Sequence, residues 1–243
     1  MVMSEKLKQM YLPSSLVWQE HDQRAGGLKS LNQKICTSEN AKNISRAENS
    51  QLERKQVMNI IGGEKRGSKL ALCASKAVRP TAQRTREALF NILQGGRFSL
   101  SLSEATMIDL FAGTGAIGLE ALSRGAKSCV FVEQDQDALQ TLQANISKLK
   151  LEDCAHILAK DARQIHSWPR PRADLVFADP PYSSSLAGEG LHQLVVANAV
   201  VQQALIVVET RKTDNCQLGP KFVLVDSRVY GIARLNFFTL ARR

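Results

Sequence analysis

The 243-residue sequence has no cysteines spaced C-x-x-C, no histidines at metal-ligand spacing and no apolar run of membrane-spanning length. Each absence excludes a class. Five cysteines (Cys36, Cys73, Cys129, Cys154, Cys216) are scattered, and Cys129 falls inside an apolar segment, which argues against a disulfide framework and for a reduced cytoplasmic setting. His21, His156, His166 and His192 define no zinc site, so no metal is expected. A bilayer helix needs about 20 consecutive apolar residues, and none is found. At 44% hydrophobic content, the length suits one substantial α/β core with an appendage and is too short for two full domains.

Charge is unevenly placed. Residues 57–97 carry Lys65, Arg66, Lys69, Lys76, Arg79, Arg84, Arg86 and Arg97 against Glu64 and Glu87, a net +6 of the chain's +9. Residues 1–56 add +3, and residues 98–243 balance at 15 basic and 15 acidic. A basic segment beside a neutral sheet suits an arm that grips phosphates, although any single lysine there equally serves a solvated surface. Residues 1–57 are polar, rich in Ser, Asn, Gln and Lys, and lack periodicity, which reads as a disordered or loosely packed leader. Glu5, Glu20, Asp22 and Glu39 make it too acidic for a transit peptide.

Two motifs carry the chemistry. The apolar run 106–111 reads as a strand and 115–125 as a helix, with Asp109-Leu-Phe-Ala-Gly-Thr-Gly-Ala-Ile-Gly118 making the turn between them. Turn glycines let backbone N–H groups approach a ligand that a Cβ would push away, and the helix start offers unpaired donors. Glu133, closing the strand 128–133, is the acid expected roughly 20 residues on to hold a ribose diol. The spacing Gly113, Gly115, Gly118 alone also fits a dinucleotide oxidoreductase or a plain helix-packing turn. The second motif, Asp179-Pro-Pro-Tyr182, follows the strand 173–178 at its C-terminal end, where ligands bind in open α/β sheets. Pro180 and Pro181 remove two donors and leave carbonyls and a carboxylate, which together accept hydrogen bonds from an exocyclic amine. Tyr182 supplies a ring to stack on the base that carries the amine.

Further elements are expected as helix 135–149, strand 154–159, short helix 161–166, helix 186–200, strand 204–209 and a closing strand pair 221–226 and 232–240. Ahead of them, 57–61 and 69–74 flank glycines as a β-hairpin. Alternating strands and helices imply a mostly parallel sheet.

Asp-Leu-Phe-Ala-Gly-Thr-Gly, Val-Glu-Gln-Asp and Asp-Pro-Pro-Tyr resemble the class I S-adenosylmethionine-dependent amino-methyltransferases. Ile60-Ile-Gly-Gly-Glu-Lys-Arg-Gly-Ser-Lys-Leu70 and Arg79-Pro-Thr-Ala-Gln-Arg-Thr-Arg-Glu-Ala-Leu-Phe-Asn-Ile-Leu93 narrow the resemblance to the RsmD family of small-subunit ribosomal RNA (guanine-N2)-methyltransferases. The resemblance implies a Rossmann-like α/β sheet, its last strand antiparallel, with a basic N-terminal hairpin and helix. It divides the chain into a leader (1–57), an RNA-binding appendage (58–97) and a catalytic domain (98–243), and it suggests Met58 as a biological start. The implied cofactor is S-adenosylmethionine. Gly113 and Gly115 would receive its methionine end with Asp109 near the ammonium group, Glu133 would bind its ribose and Asp161 its adenine, and Phe111, Ala112, Gln134 and Ala162 complete the cofactor-binding set. Asp179, Pro180, Pro181 and Tyr182 would hold the guanine. Arg66, Lys69, Arg79, Thr81, Arg84 and Arg86 would contact RNA, and the partner would be small-subunit ribosomal RNA in a 30S particle, met by a monomer.

Asn59, Gln83 and Thr85 depart from the family pattern near the RNA contacts. Rival acceptors are adenine N6 in DNA or RNA and protein glutamine, the latter favouring Asn before Pro-Pro. A non-catalytic RNA-binding protein on the same fold is the alternative outside enzymology.

Overall fold

A computed structural model of the chain describes residues 58–73, 80–180 and 184–242, with the side chains of residues 80–82 and 184 left aside. Seven strands form one sheet, β3 (Thr106–Leu110), β4 (Ser128–Glu133), β5 (Ala155–Ala159), β6 (Ala173–Ala178), β7 (Val200–Arg211), β8 (Phe222–Tyr230) and β9 (Ala233–Leu240), ordered β5-β4-β3-β6-β7-β9-β8. The first five are parallel, and β9 enters antiparallel between β7 and β8. β3 is buried along its whole length, and β4 and β6 nearly so. That is why their sequences are continuous apolar runs rather than alternating ones: helices cover both faces.

On one face lie α1 (Pro80–Gln94), α2 (Ala116–Ser123) and α3 (Gln136–Leu149), packing Leu89, Phe90, Leu119, Leu142 and Ile146 onto Phe131, Phe177 and Phe237. The other face is covered by α4 (Ser184–Val196) and the 3-10 turn Ala162–Gln164 through Ala187, Leu191, Leu194 and Ala162. Helix α3 starts where the Asp135 carboxylate accepts the Ala138 N–H at 2.8 Å, and it stops at Lys150 in the left-handed region.

Several boundaries differ from the sequence expectation. The N-terminal hairpin is reduced to β1 (Met58–Asn59) and β2 (Lys69–Leu70). Its donors are diverted: Ile61 and Gly62 N–H go to the Glu120 carboxylate, Glu64 N–H to the Ser123 carbonyl, and Ala71 N–H to Asn145 Oδ1. Those bonds replace the rungs a longer ladder would have used. β7 is longer than 204–209 because an irregularity after Ala173 lets it continue pairing back to Val200. The expected leader and the proposed start's upstream neighbours lie outside the described residues, as do Arg79, Pro181 and Tyr182.

Candidate active site

Four adjacent strands end in carboxylates along one edge of the sheet. Glu133 closes β4, Asp109 stands one residue before the end of β3, Asp179 follows β6, and Glu209 stands near the end of β7. Register puts them on neighbouring strands: Asp109 pairs with Phe131 and Phe177, and Ala178 pairs with Val208, so Asp179 and Glu209 are the next positions out. Side chains alternate faces along a strand, so all four project from the face that carries Phe131, Phe177 and Val207.

Their environments separate them chemically. Asp109 is 2% exposed, and burial pushes its carboxyl up to about 7, with the charges of Asp179 and Glu133 adding to the rise and the Gly118 N–H opposing it. Glu209, part-buried, is pushed up to about 8 by desolvation and then by Asp179. Asp179 is exposed and Pro180 half-buried. The sequence reading missed Glu209, although Ala204-Leu-Ile-Val-Val-Glu209 repeats the signal of an apolar strand closed by an acid.

The turn after β3 is built from left-handed backbone at Phe111 (φ 68°), Gly113 (φ 55°) and Gly115 (φ 83°). Its glycines do different work. A Cβ on Gly113 would meet nothing within 4 Å, so this backbone faces open space, whereas one on Gly115 would lie 2.4 Å from Leu142 Cδ1 and one on Gly118 2.3 Å from Phe131 Cε1. Gly115 and Gly118 are therefore glycine for packing, and Gly113 alone offers a surface to a ligand. Asp109 Oδ2 accepts the Gly118 N–H at 2.9 Å beneath the turn. Asn145, fully buried within the apolar stripe of α3, donates to the Thr114 and Ala71 carbonyls at 3.0 and 3.2 Å and so ties the turn to the residues after β2.

Glu133 accepts three backbone N–H groups: Gly113 on Oε2 at 2.7 Å, and Gln134 and Asp135 on Oε1 at 2.8 and 2.9 Å. Oε1 is thereby filled, and Oε2 keeps one lone pair for a further donor. Gln134 is exposed beside it. Asp161 is held by Arg163, whose Nη2 lies at 2.6 Å and whose Nε spans both oxygens at 3.0 and 3.1 Å; this guanidinium keeps the carboxyl below its usual range. The Ala162 side chain is buried.

In the appendage Arg66, Lys69 and Arg84 are exposed. The backbone of Thr81 lies in α1. Arg86 departs from the expectation of RNA contact: it is 3% exposed, donates to the Asn59 carbonyl at 2.6 Å, and lies 3.7 Å from the fully buried Glu120 carboxylate. Glu120 also accepts Arg124 Nε at 2.7 Å together with the Ile61 and Gly62 N–H groups, and Arg124 stacks 4.9 Å from the centre of the Phe90 ring. Arg86 is thus part of the clamp that seats the hairpin on α2. A phosphate cannot reach it there.

Among the described residues no group of histidine, cysteine and acidic side chains is arranged to hold a metal, and no helix is long and apolar enough to cross a membrane. Residues 58–239 match the family model described as Conserved hypothetical protein 95. The Ribosomal RNA small subunit methyltransferase D of Haemophilus influenzae is 33% identical over 184 residues, 74% of this chain and 93% of its own length. Its namesake in Escherichia coli K12 is 37% identical over 153 residues, 63% of this chain and 74% of its own. The solved structure of Escherichia coli yhhF has a TM-score of 0.65 at 30% identity, across 77% of this chain and 99% of that one. The Thermus thermophilus 16S rRNA N2 G1207 methyltransferase RsmC, in complex with AdoMet and guanosine, scores 0.58 at 20% identity over 76% of this chain and 50% of that one, a likeness of fold. The chain belongs to the conserved hypothetical protein 95 family, that of the small-subunit ribosomal RNA methyltransferase D proteins, and is an rRNA methyltransferase with a class I fold.

Proposed function

We propose that the enzyme transfers a methyl group from S-adenosylmethionine to the exocyclic N2 of one guanine in 16S ribosomal RNA. The observation that carries this is the shared edge on which an open glycine turn and Glu133 stand beside Asp179. The residues present fit the cofactor. The empty Cβ position at Gly113 leaves room for a ligand against the backbone, and the one unused lone pair of Glu133, on Oε2, suits a ribose hydroxyl. Asp109 is the nearest acid for an ammonium group, with Phe111, Ala112 and Gly115 shaping the turn around it and Gln134 at the rim. Asp161 and Ala162 close the adenine end.

When bound, S-adenosylmethionine supplies a methyl group already activated by its sulfonium. The protein's part is therefore orientation, which in well-aligned reactions accounts for about 7 kcal/mol or more of the barrier. Asp179 accepts one N2–H and the Pro180 carbonyl the other, which turns the nitrogen lone pair toward the methyl carbon. Asp179 would take the proton that the nitrogen releases once it has accepted the methyl group. Pro181 stiffens the loop, and Tyr182 stacks on a base drawn out of its helix. Exposed Arg66, Lys69 and Arg84, with Arg79 and Thr81, hold the phosphates of a 30S particle, engaged by a cytoplasmic monomer.

Asp179→Ala tests the assignment. Methyl transfer nearly vanishes while cofactor affinity, measured by calorimetry, stays within a few-fold. Equal loss of both would contradict the role given to Asp179.

A further inference from the structure

We propose that Glu209 is a positioning residue of the acceptor site: its carboxyl group lies beside Asp179 and acts as a hydrogen-bond donor that holds the Asp179 carboxylate toward the incoming amine. This rests on the guanine-N2 transfer proposed above.

The geometry comes from the sheet. Leu175, Val176, Phe177 and Ala178 pair in parallel with Leu205, Ile206, Val207 and Val208, so the next residues, Asp179 and Glu209, are neighbours on strands about 4.8 Å apart. Both lie on the same face by alternation, since Phe177 and Val207 share a core cluster. Below them that face is sealed by Leu205, Val207, Leu235 and Phe237, and Leu235 pairs directly with Glu209 on β9. An acid on an apolar floor beside another acid cannot ionise freely: two like charges in one site push one of the pair to hold a proton.

The burial and the Asp179 charge that lift Glu209 to about 8 act in this direction. Glu209, the member that burial and the neighbouring Asp179 charge disfavour as an anion, is the one that keeps the proton. A neutral carboxyl has one O–H to give, and the ionised neighbour is an acceptor-only group. Fixing the orientation of Asp179 matters because a misplacement of about 1 Å at the reacting atoms costs roughly a hundredfold in rate.

The test is steady-state methyl transfer to undermethylated small subunits for wild type, Glu209→Ala and Glu209→Gln, across pH 6–9.5, with cofactor affinity measured alongside. Wild type should lose kcat on an alkaline limb near pH 8, as Glu209 ionises and its donor is lost. Glu209→Ala should lower kcat roughly tenfold or more at pH 7 with KM for RNA and cofactor affinity little changed. Glu209→Gln keeps an N–H donor and cannot ionise, so it should restore most of kcat and abolish the alkaline limb. The proposal is overturned by an alanine variant with wild-type kcat, by a glutamine variant as slow as alanine, or by a glutamine variant that keeps the alkaline decline. A wild-type enzyme that places no methyl on guanine N2 overturns the underlying function instead, and this inference with it.

Discussion

Removing the Glu120 carboxylate should unseat the N-terminal hairpin and destabilise the whole fold. Glu120 is fully buried and receives four partners: the Ile61 N–H at 2.7 Å, the Gly62 N–H at 2.8 Å, Arg124 Nε at 2.7 Å, and the charge of Arg86 at 3.7 Å. The Arg86 side chain is 2% exposed, and desolvation already lowers its proton affinity while Glu120 props it up. Glu120→Leu leaves that guanidinium without its counter-charge, and breaking a buried pair from one side costs about 3–5 kcal/mol. Replacing both partners, as in Arg86→Met with Glu120→Leu, removes that orphan charge but leaves Arg124 Nε and the two amides without their acceptor, so it should recover part of the loss, about 1 kcal/mol or more. Urea unfolding of the single and double variants measures this directly. Hydrogen exchange at Ile61, Gly62 and Glu64 shows whether the hairpin opens first, since these amides bond to Glu120 or Ser123. A Glu120→Leu loss below about 1 kcal/mol, or a double variant no better than the single, would refute the clamp.

Other consequences can be checked separately. Asp109 holds its proton up to about 7 in the fold against 3.8 when exposed, so its contribution to stability is present below about 4 and lost as pH rises to about 7, amounting to about 4 kcal/mol. Asp109→Asn should flatten that window in pH-dependent unfolding and weaken cofactor binding at pH 8. Gly113→Ala adds a Cβ into open space at φ 55°, costing about 1 kcal/mol in stability but blocking the ligand face, whereas Gly118→Ala drives a Cβ to 2.3 Å from Phe131 and should cost about 1–3 kcal/mol. Calorimetry of cofactor binding beside thermal unfolding separates the two variants. Arg66→Ala and Arg84→Ala should each reduce the salt dependence of RNA binding by about one phosphate contact. Arg86→Ala should act on stability instead.

Local chemistry made much of this legible. The runs Thr106–Leu110, Ser128–Glu133 and Ala173–Ala178 were strands because a sheet covered on both faces needs continuous apolar segments, and the acids that close them marked the ligand edge. The placement of β9 between β7 and β8 had no local signal; the family resemblance implied only that the last strand runs antiparallel. Single polar residues inside apolar patterns were harder to interpret. Arg86 precedes Leu89 and Phe90 by three and four positions, which sets it on the buried stripe of α1, about 200° around the helix from Arg84. The basic count hid that difference. Glu120 and Asn145 likewise interrupt apolar helix faces, and both satisfy the backbone of the distant N-terminal segment, a partnership that no window of neighbouring residues contains. Glu209 escaped because strand 204–209 was read with no role for the acid that closes it, while the register that brings it beside Asp179 emerges when β6 and β7 pair.

The central claim is best tested by incubating the purified protein with methyl-labelled S-adenosylmethionine and undermethylated small ribosomal subunits, in parallel with their naked RNA, then digesting the RNA and identifying the labelled nucleoside. The account predicts label in N2-methylguanosine alone. Label in N6-methyladenosine, or none in RNA from an enzyme that binds the cofactor, would contradict it.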